Sequence, residues 1–509
     1  MPGCELAPFL TWVGTRRHLH SLPVPTLRLE SLTKTYGETH AVRAVSIAFE
    51  AGKIHAVVGE NGAGKSTLLK MAAGVVVPDA GAVFVDDARL TPHTAAEAIL
   101  RGVGMVQQHF ALVAVFTALE NVMLGAEPVA SFGRLDVARA RAKVAIVARE
   151  IGAELPLDAV VETLGVGDRQ RLEIARALYR DAQVLILDEP TAVLTPAEAD
   201  ALYATLRRLA DAGRTIVVVT HKLDEVRDHA DVVSVLRRGE LVLTRPLKRS
   251  ADDEVRALAG AIMGGEVPEP IARRDAQAGD VLLRVDAVRL GRALRGVSLS
   301  VRAGEIVGIA GVDGNGQREL VRVLAGLDTP DAGTVESGAV SVVHEDRLGE
   351  GLVLDATVAD NLVLGELARF TRFGFLDVAA VDREVGARLA SAGIVPPDPR
   401  LVARALSGGN QQKIVMARAI ARTRLGAHVL VVAHPTRGVD LGASRAIHQE
   451  LLDAASRGVA VLVVSADLHE LRALCDRILV MARGAIAAEM PPTASDRELG
   501  AAMLGAPSA

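Results

Sequence analysis

The sequence predicts an α/β fold with a largely parallel core sheet, present in two tandem copies. Three observations predict it. Short apolar runs such as "TIVVVT" (215–220) and "HVLVVA" (428–433) alternate with helix-like stretches, the pattern of buried parallel strands separated by helices. Long segments recur. "LDEPTAVLT" (187–195) aligns with "AHPTRGVDL" (433–441) when Pro190 is set on Pro435, and "LGVGDRQRLEIARAL" (164–178) aligns with "LSGGNQQKIVMARAI" (406–420). A glycine loop, "GENGAGKST" (59–67), also returns, as "GVDGNGQRE" (311–319). The chain has 509 residues, more than the ~250–300 over which a single core grows.

Taken in order, residues 1–25 stand apart. "MPGCELAPFLTWVGTRRHLHSLPVP" has no basic stretch before its apolar patch, which argues against a secretory signal. A disordered leader, or a start site placed too early, is the expectation. The first copy is expected over 26–262 and the second over 280–506. Between them 263–279 contains "GGEVPEPIARRDAQAGD", rich in Gly, Pro and charge, and reads as a linker. Each copy starts with a β-rich segment, "LRLESLTKTYGETHAVRAVSIAFEAGK" in the first, and a helix-rich stretch at about 110–180 follows its glycine loop.

The loop at 59–67 matches G-x-x-x-x-G-K-[ST], after a strand-like "KIHAVV" and before a helix-like "LLKMAAG". Gly59, Gly62 and Gly64 permit the tight turn, and backbone N–H groups, that of Asn61 included, face inward as an anion nest. The helix that starts near Lys65, Ser66 and Thr67 adds its positive end. Lys65 is expected on the β/γ-phosphates of ATP and Ser66 on Mg²⁺. "VLILDEP" ends a strand in two carboxylates. Asp188 fits a Mg²⁺ ligand and Glu189 a general base that polarises water. An isolated acid pair at a strand end is more often a solvated loop, but ligands in α/β sheets sit at strand C-termini, and the glycine loop supplies the context.

Loop, "LSGGNQQ" signature, "LILDEPT" and a strand ending in His together resemble the nucleotide-binding domains of ABC transporters. Two such domains in one chain, the second with an altered loop, resemble the ATPase subunit of bacterial sugar and nucleoside importers, from about residue 26 to the end. The resemblance implies two ABC-type P-loop NTPase domains, each with an antiparallel β segment at its start and a helical subdomain. It implies that His221 contacts the γ-phosphate, although a lone strand-end His is commonly structural. It implies that Gln108 touches Mg²⁺ and senses the membrane partner, although spacing alone does not separate Gln108 from Gln107. It implies that Tyr36 stacks on adenine, an ordinary edge aromatic being the plainer reading.

In the second copy the lysine is Gln317, the acid pair is Ala433–His434, the strand-end His is Ala466, and Glu345 stands near the glutamine position. Its "LSGG" signature is nevertheless intact, and Asp440 stands where the family's D-loop has its aspartate. The first copy has the reverse pattern, with Gly165 in its signature and Thr195 for the aspartate. In ABC proteins each ATP lies between the loop of one domain and the signature of the other. The resemblance therefore implies one complete site, joining Lys65, Ser66, Gln108, Asp188, Glu189 and His221 to Ser407, Gly408, Gly409 and Asp440.

The expected function is ATP hydrolysis coupled to import through two integral membrane permease subunits, at the cytoplasmic face of the cell (inner) membrane. A substrate-binding lipoprotein or periplasmic protein would take part indirectly. The alternative is a soluble tandem ATPase such as an ABC-type translation factor, which usually has a long charged linker and two intact sites. A net charge of −5 gives no case for nucleic acid, and two cysteines, Cys4 and Cys475, no metal cluster or disulfide framework. "GMVQQHFALVAVFTALENVMLGAEP" (104–128) resembles the nucleoside branch more than the ribose or xylose branch. Its apolar part, "HFALVAVFTALENV" (109–122), is expected to face a permease unless it is buried in its own subdomain.

Overall fold

The computed structural model describes residues 25–37, 39–60, 62–108, 110–192, 194–247, 252–265, 279–312, 314–437, 439 and 441–503. The expected leader, almost all of the expected linker, Asn61 and Asp440 lie outside them.

The first copy runs β1 (Pro25–Tyr36), β2 (Thr39–Glu50), β3 (Ile54–Gly59), α1 (Lys65–Ala72), β4 (Ala80–Val85), β5 (Ala88–Arg89), α2 (Ala95–Leu100), β6 (Val103–Val106), α3 (Ala118–Met123), α4 (Val137–Ile151), α5 (Val166–Tyr179), β7 (Val184–Asp188), α6 (Pro196–Asp211), β8 (Thr215–Val219), α7 (Leu223–His229), β9 (Val232–Arg237), β10 (Glu240–Pro246) and α8 (Asp252–Met263). β1, β2, β4 and β5 form an antiparallel sheet. The core sheet has the order β10-β9-β3-β8-β7-β6 and is parallel apart from its β10 edge. β3, β7 and β8 are buried along their whole length and read as apolar runs, that of β3 interrupted by the buried His55. β8 lies between β3 and β7, so the glycine loop after β3, Asp188 ending β7 and His221 beyond β8 leave one end of three neighbouring strands.

The second copy runs β11 (Val281–Leu290), β12 (Leu294–Arg302), β13 (Ile306–Ala310), α9 (Gln317–Leu324), β14 (Ala332–Ser337), β15 (Val340–Val343), α10 (Val358–Leu362), β16 (Thr371–Arg372), β17 (Phe375–Leu376), α11 (Val378–Ala392), α12 (Gly408–Arg424), β18 (Val429–Ala433), α13 (Leu441–Ser456), β19 (Ala460–Val464), α14 (Leu468–Leu474), β20 (Arg477–Ala482), β21 (Ala485–Met490) and α15 (Asp496–Met503). Its core sheet, β15-β18-β19-β13-β20-β21, repeats the first in order and direction.

Local chemistry repeats as well. α3 and α10 both start in capping boxes, Thr117 with Glu120 and Thr357 with Asp360. α4 and α11 start on Asp136 and Asp377 and stop at left-handed Gly152 and Gly393. Asn121 and Asn361, both buried, each bond the backbone ahead of their helix through Val113 and Val353. One difference stands out. Between β4 and β6 the first copy carries β5 and α2, whereas β14 passes to β15 through Gly338 and Ala339 alone. The copies touch where α15 packs on α6 and where His469 Nε2 lies 3.9 Å from Asp224 Oδ2.

Much of the apolar stretch 109–122 is core rather than surface. Ala118, Leu119, Asn121 and Val122 are buried beneath α4 and α5, while Val115 and Phe116 remain exposed. The expectation of one continuous partner surface is corrected accordingly: the amphipathic α3 buries one face in its own subdomain.

Candidate nucleotide site

The loop between β3 and α1 is shaped by its glycines. Gly64 has φ 98°, and a Cβ there would drive into the carbonyl oxygen of Ala41, so the position demands glycine on both counts. Gly316 repeats both features, with φ 100° against the carbonyl of Ala293. Lys65 is buried, and its Nζ donates to the carbonyls of Gly59 (2.7 Å) and Glu60 (2.9 Å). The ammonium thus sits inside the nest, held by carbonyls that an arriving phosphate can replace as acceptors. Burial pushes its pKa down, against the pull of Glu189 and Asp188.

The acids meet the loop as expected. Ser66 Oγ lies 3.4 Å from Asp188 Oδ1. Burial holds the Asp188 carboxyl above its usual range, and the Ser66 hydroxyl opposes that. Glu189, with its backbone in the left-handed region (φ 48°), turns its carboxylate between two partners. Gln108 Nε2 donates to Oε2 at 2.9 Å, and His221 Nδ1 lies 3.3 Å from Oε1. The histidine beside it holds the Glu189 carboxyl below its usual range despite burial. Spacing left Gln107 and Gln108 open, and it is Gln108 that reaches the acid pair. Thr67 lies half-buried on the first turn of α1. Tyr36 is 50% exposed at the end of β1, so one ring face is free to stack.

Ser66 hydroxyl and Asp188 carboxylate are hard oxygen donors on adjoining elements and fit Mg²⁺, a cation that takes few protein ligands beside phosphate and water. The second copy offers no such fit. Arg318 stands at the Ser66 position and Ala433 at that of Asp188; Arg318 pairs with Glu350 at 3.1 Å. Gln317 folds back on Val312 O at 3.1 Å, in the manner of Lys65 but without charge. His434 keeps the left-handed backbone of Glu189 (φ 47°), and Glu345, two residues beyond β15 as Gln108 is beyond β6, pairs with Arg437 at 3.1 Å.

The two signatures differ in the same sense. Ser407 caps α12, accepting from Asn410 N, whereas α5 starts at Gly165 with no side-chain cap. Gly408 and Gly409 open α12, where a Cβ on Gly408 would meet Arg347. Thr195, in place of the D-loop aspartate, is the capping box of α6. Among the described residues no hydrogen bond or ion pair joins Ser407, Gly408 or Gly409 to Lys65, Asp188, Glu189 or His221.

Sequence reasoning missed a brace behind the site. Glu225 accepts from Thr191 Oγ1 (2.8 Å) and Tyr203 OH (3.0 Å), and Lys222 Nζ donates to Thr191 O (3.0 Å). It ties the turn after Glu189 to the helix after His221. The repeat carried the signal, since Thr436 and Glu470 stand in register with Thr191 and Glu225.

The profile of the family described as ABC transporter matches residues 42–192 and 294–427. The nucleoside import ATP-binding protein NupA of Lactococcus lactis subsp. cremoris is 38% identical, over 94% of this chain and 98% of the relative. The ribose import ATP-binding protein RbsA 2 of Streptomyces coelicolor is 38% identical, over 92% of each. Among solved structures, a chain from the complex of archaeal ribosomal stalk protein aP1 with ribosome recycling factor aABCE1 superposes with a TM-score of 0.62. It is 20% identical over 91% of this chain and 90% of that one, a likeness of fold.

Proposed function

The chain belongs to the ABC transporter family of ATP-hydrolysing proteins, and we propose that it is the energy-coupling subunit of an importer for nucleosides or simple sugars. The carrying observation is how the defects sort between the copies. Everything that acts on phosphate converges in the first: Lys65 in its nest, Ser66 against Asp188, and Glu189 between Gln108 and His221. The second keeps an intact signature, where Ser407 caps α12, and the shape of its glycine loop without the charged groups that act on phosphate. Drift in a redundant domain has no reason to divide the parts this way.

On this reading ATP sits on the loop of 26–262 with Mg²⁺ on Ser66, Gln108 and Asp188, and adenine against Tyr36. Lys65 binds the β/γ-phosphates, Asn61 and Thr67 line the loop, and the helix end at Ser407–Gly409 of 280–506 closes over the γ-phosphate with Asp440 beside it. Mg²⁺ when bound neutralises phosphate charge. Glu189 accepts the proton of the attacking water, and His221 fixes that carboxylate and reaches the γ-phosphate. Closure displaces Gln108, which lies between the acid and the chain leading to the helical subdomain, and so passes to membrane permeases.

Family membership implies permease partners, and among the described residues no helix is long and apolar enough to cross a membrane itself. Two permease subunits and an extracytoplasmic binding protein complete the proposal, which places the chain on the cytoplasmic face. The two relatives described above are named for nucleoside and for ribose import, which supports a cargo of that chemistry. Deleting the gene and measuring uptake of labelled guanosine, adenosine, ribose and xylose tests it. Loss of nucleoside uptake is expected; unchanged uptake of all four would refute the importer reading.

A further inference from the structure

The two signature helices carry the same glutamine at the same place and hold it differently. Gln412 on α12 and Gln170 on α5 align in the repeat, and both are buried. Gln412 Nε2 donates to the carbonyl of Pro435 at 3.1 Å, which ties the start of α12 to the turn after β18. Gln170 lines a cavity of about 20 Å³ between α5 and α6, and its Nε2 has no partner, although Pro190 stands in register with Pro435. The helices are otherwise held alike. Gln411 Nε2 donates to Ala403 O at 3.1 Å, and Arg169 Nε donates to Val161 O, the matching carbonyl, at 3.2 Å. The difference is confined to the tie between helix and turn.

The first cassette fastens its turn elsewhere. Lys222, directly after His221, donates from Nζ to Thr191 O at 3.0 Å. In the second cassette Asp467 stands at the place of Lys222, a carboxylate that caps α14 and cannot repeat that bond. The turn after β7 is thus fastened beside His221, and the turn after β18 to the signature helix. Each cassette fastens its turn to the part that it contributes to the one complete site. The turn after β18 runs on to position 440.

We infer that Gln412 is a positioning residue for hydrolysis: its bond to Pro435 makes the signature end of α12 and the approach to Asp440 one body, so that both meet the ATP held by Lys65 together. Buried one turn into α12, it acts through Ser407–Gly409 and Asp440. A buried amide–carbonyl bond suits this task, because the helix cannot shift without the turn unless a buried carbonyl is left unpaired. Gln170 belongs to the signature that faces the incomplete site, where no such coordination is needed. The inference rests on the crossed site proposed above.

Gln412→Met fills the space and removes the donor. Phosphate release from the purified transporter should fall roughly three- to tenfold, the loss of one net hydrogen bond carried into the barrier, with ATP affinity changed less than about twofold. Each variant is measured below its melting temperature. Gln170→Met should change neither quantity by more than about twofold. Gln412→Met is then combined with Ser407→Ala. Both act through one helix end, so the double variant should lose less than the product of the single losses, which a merely stabilising glutamine would give. Where Gln412→Met does not fold, Gln412→Glu, which keeps the shape and when ionised has no proton to donate, is read in its place. Equal losses from the two glutamine variants, or a double loss equal to the product, overturns the inference. A Ser407→Ala defect beside normal turnover in Gln412→Met overturns it and leaves the crossed site standing. Normal turnover in Ser407→Ala removes the crossed site and the inference with it.

Discussion

Replacing Glu189 with glutamine isolates charge from shape. The glutamine oxygen can still accept from Gln108 Nε2, now 2.9 Å from Oε2, and its amide can donate to His221 Nδ1, now 3.3 Å from Oε1, when that nitrogen is neutral. The left-handed backbone at 189 is no more strained for glutamine than for glutamate. What disappears is the acceptor for the proton of water. A general base contributes ~10²–10⁴-fold, about 2.7–5.4 kcal/mol of barrier, so kcat should fall by that factor with nucleotide affinity nearly unchanged. The matched change is His434→Ala at the same backbone position of the second cassette, which should alter kcat less than about twofold if that copy does no chemistry. Phosphate release from the purified transporter, with nucleotide binding measured alongside, reads both. Comparable losses from the two variants would refute the single-site reasoning.

Ser407→Ala should cost about 1 kcal/mol of stability through the lost cap of α12. It should also slow hydrolysis at the distant Lys65 site, and normal turnover in the assembled transporter would dismiss the crossed sandwich. Gly64→Ala should abolish ATP binding, because Cβ meets the Ala41 carbonyl, whereas Gly316→Ala should lower the melting temperature without lowering turnover comparably; equal turnover losses would count against the division. Burial pushes His55 from 6.5 down to about 4, and its Nε2 accepts from Glu50 N, a bond that protonation destroys. The unfolded chain protonates first, so this stability is full above pH 6.5 and declines as pH falls toward 4. The loss at pH 5 is about 2 kcal/mol. Urea midpoints at neutral and acid pH should show that loss, and His55→Gln should flatten it; an unchanged slope would contradict the assignment.

The doubled α/β fold was legible because its signals are local. Fully buried parallel strands write continuous apolar runs, and the phosphate loop writes glycines at positions that no other residue can occupy. Lys65 was legible from the glycine-loop motif, Asp188 and Glu189 from a strand end set beside that loop, and His221 only through the family resemblance. The pairing of Gln108 rather than Gln107 with Glu189 was not, since two adjacent glutamines differ only in the direction the chain takes after β6. The stretch 109–122 misled for a related reason: apolar content does not say which face of α3 meets its own subdomain. That Gln412 has a partner where Gln170 Nε2 has none was not legible, since the same residue stands at both positions, and the missing α2 showed only as a shortened passage from β14 to β15. Such differences acquire meaning once the fold shows what they face.

The brace behind the site separates what the duplication needs from what catalysis needs. In the first cassette Glu225 gathers Thr191, Tyr203 and Lys222; in the second Glu470 gathers Thr436 (2.7 Å), His448 (3.1 Å) and Ser465 (2.6 Å). The second cassette has thus given up Lys65, Asp188, Glu189 and His221 while rebuilding the carboxylate network that supported them, even with a different third partner. A network serving only the reacting groups would have decayed with them. Its survival means that it serves the turn after β7 and β18 as structure, and that turn leads toward the D-loop position, Thr195 in one copy and Asp440 in the other. Glu225→Gln should therefore weaken the turn after β7 in the first cassette before it weakens chemistry. The loss expected is in the melting temperature, with kcat recovering at lower temperature, unlike the temperature-independent loss expected of Glu189→Gln. A kcat deficit that persists where the variant is fully folded would instead make Glu225 a positioning residue for the base.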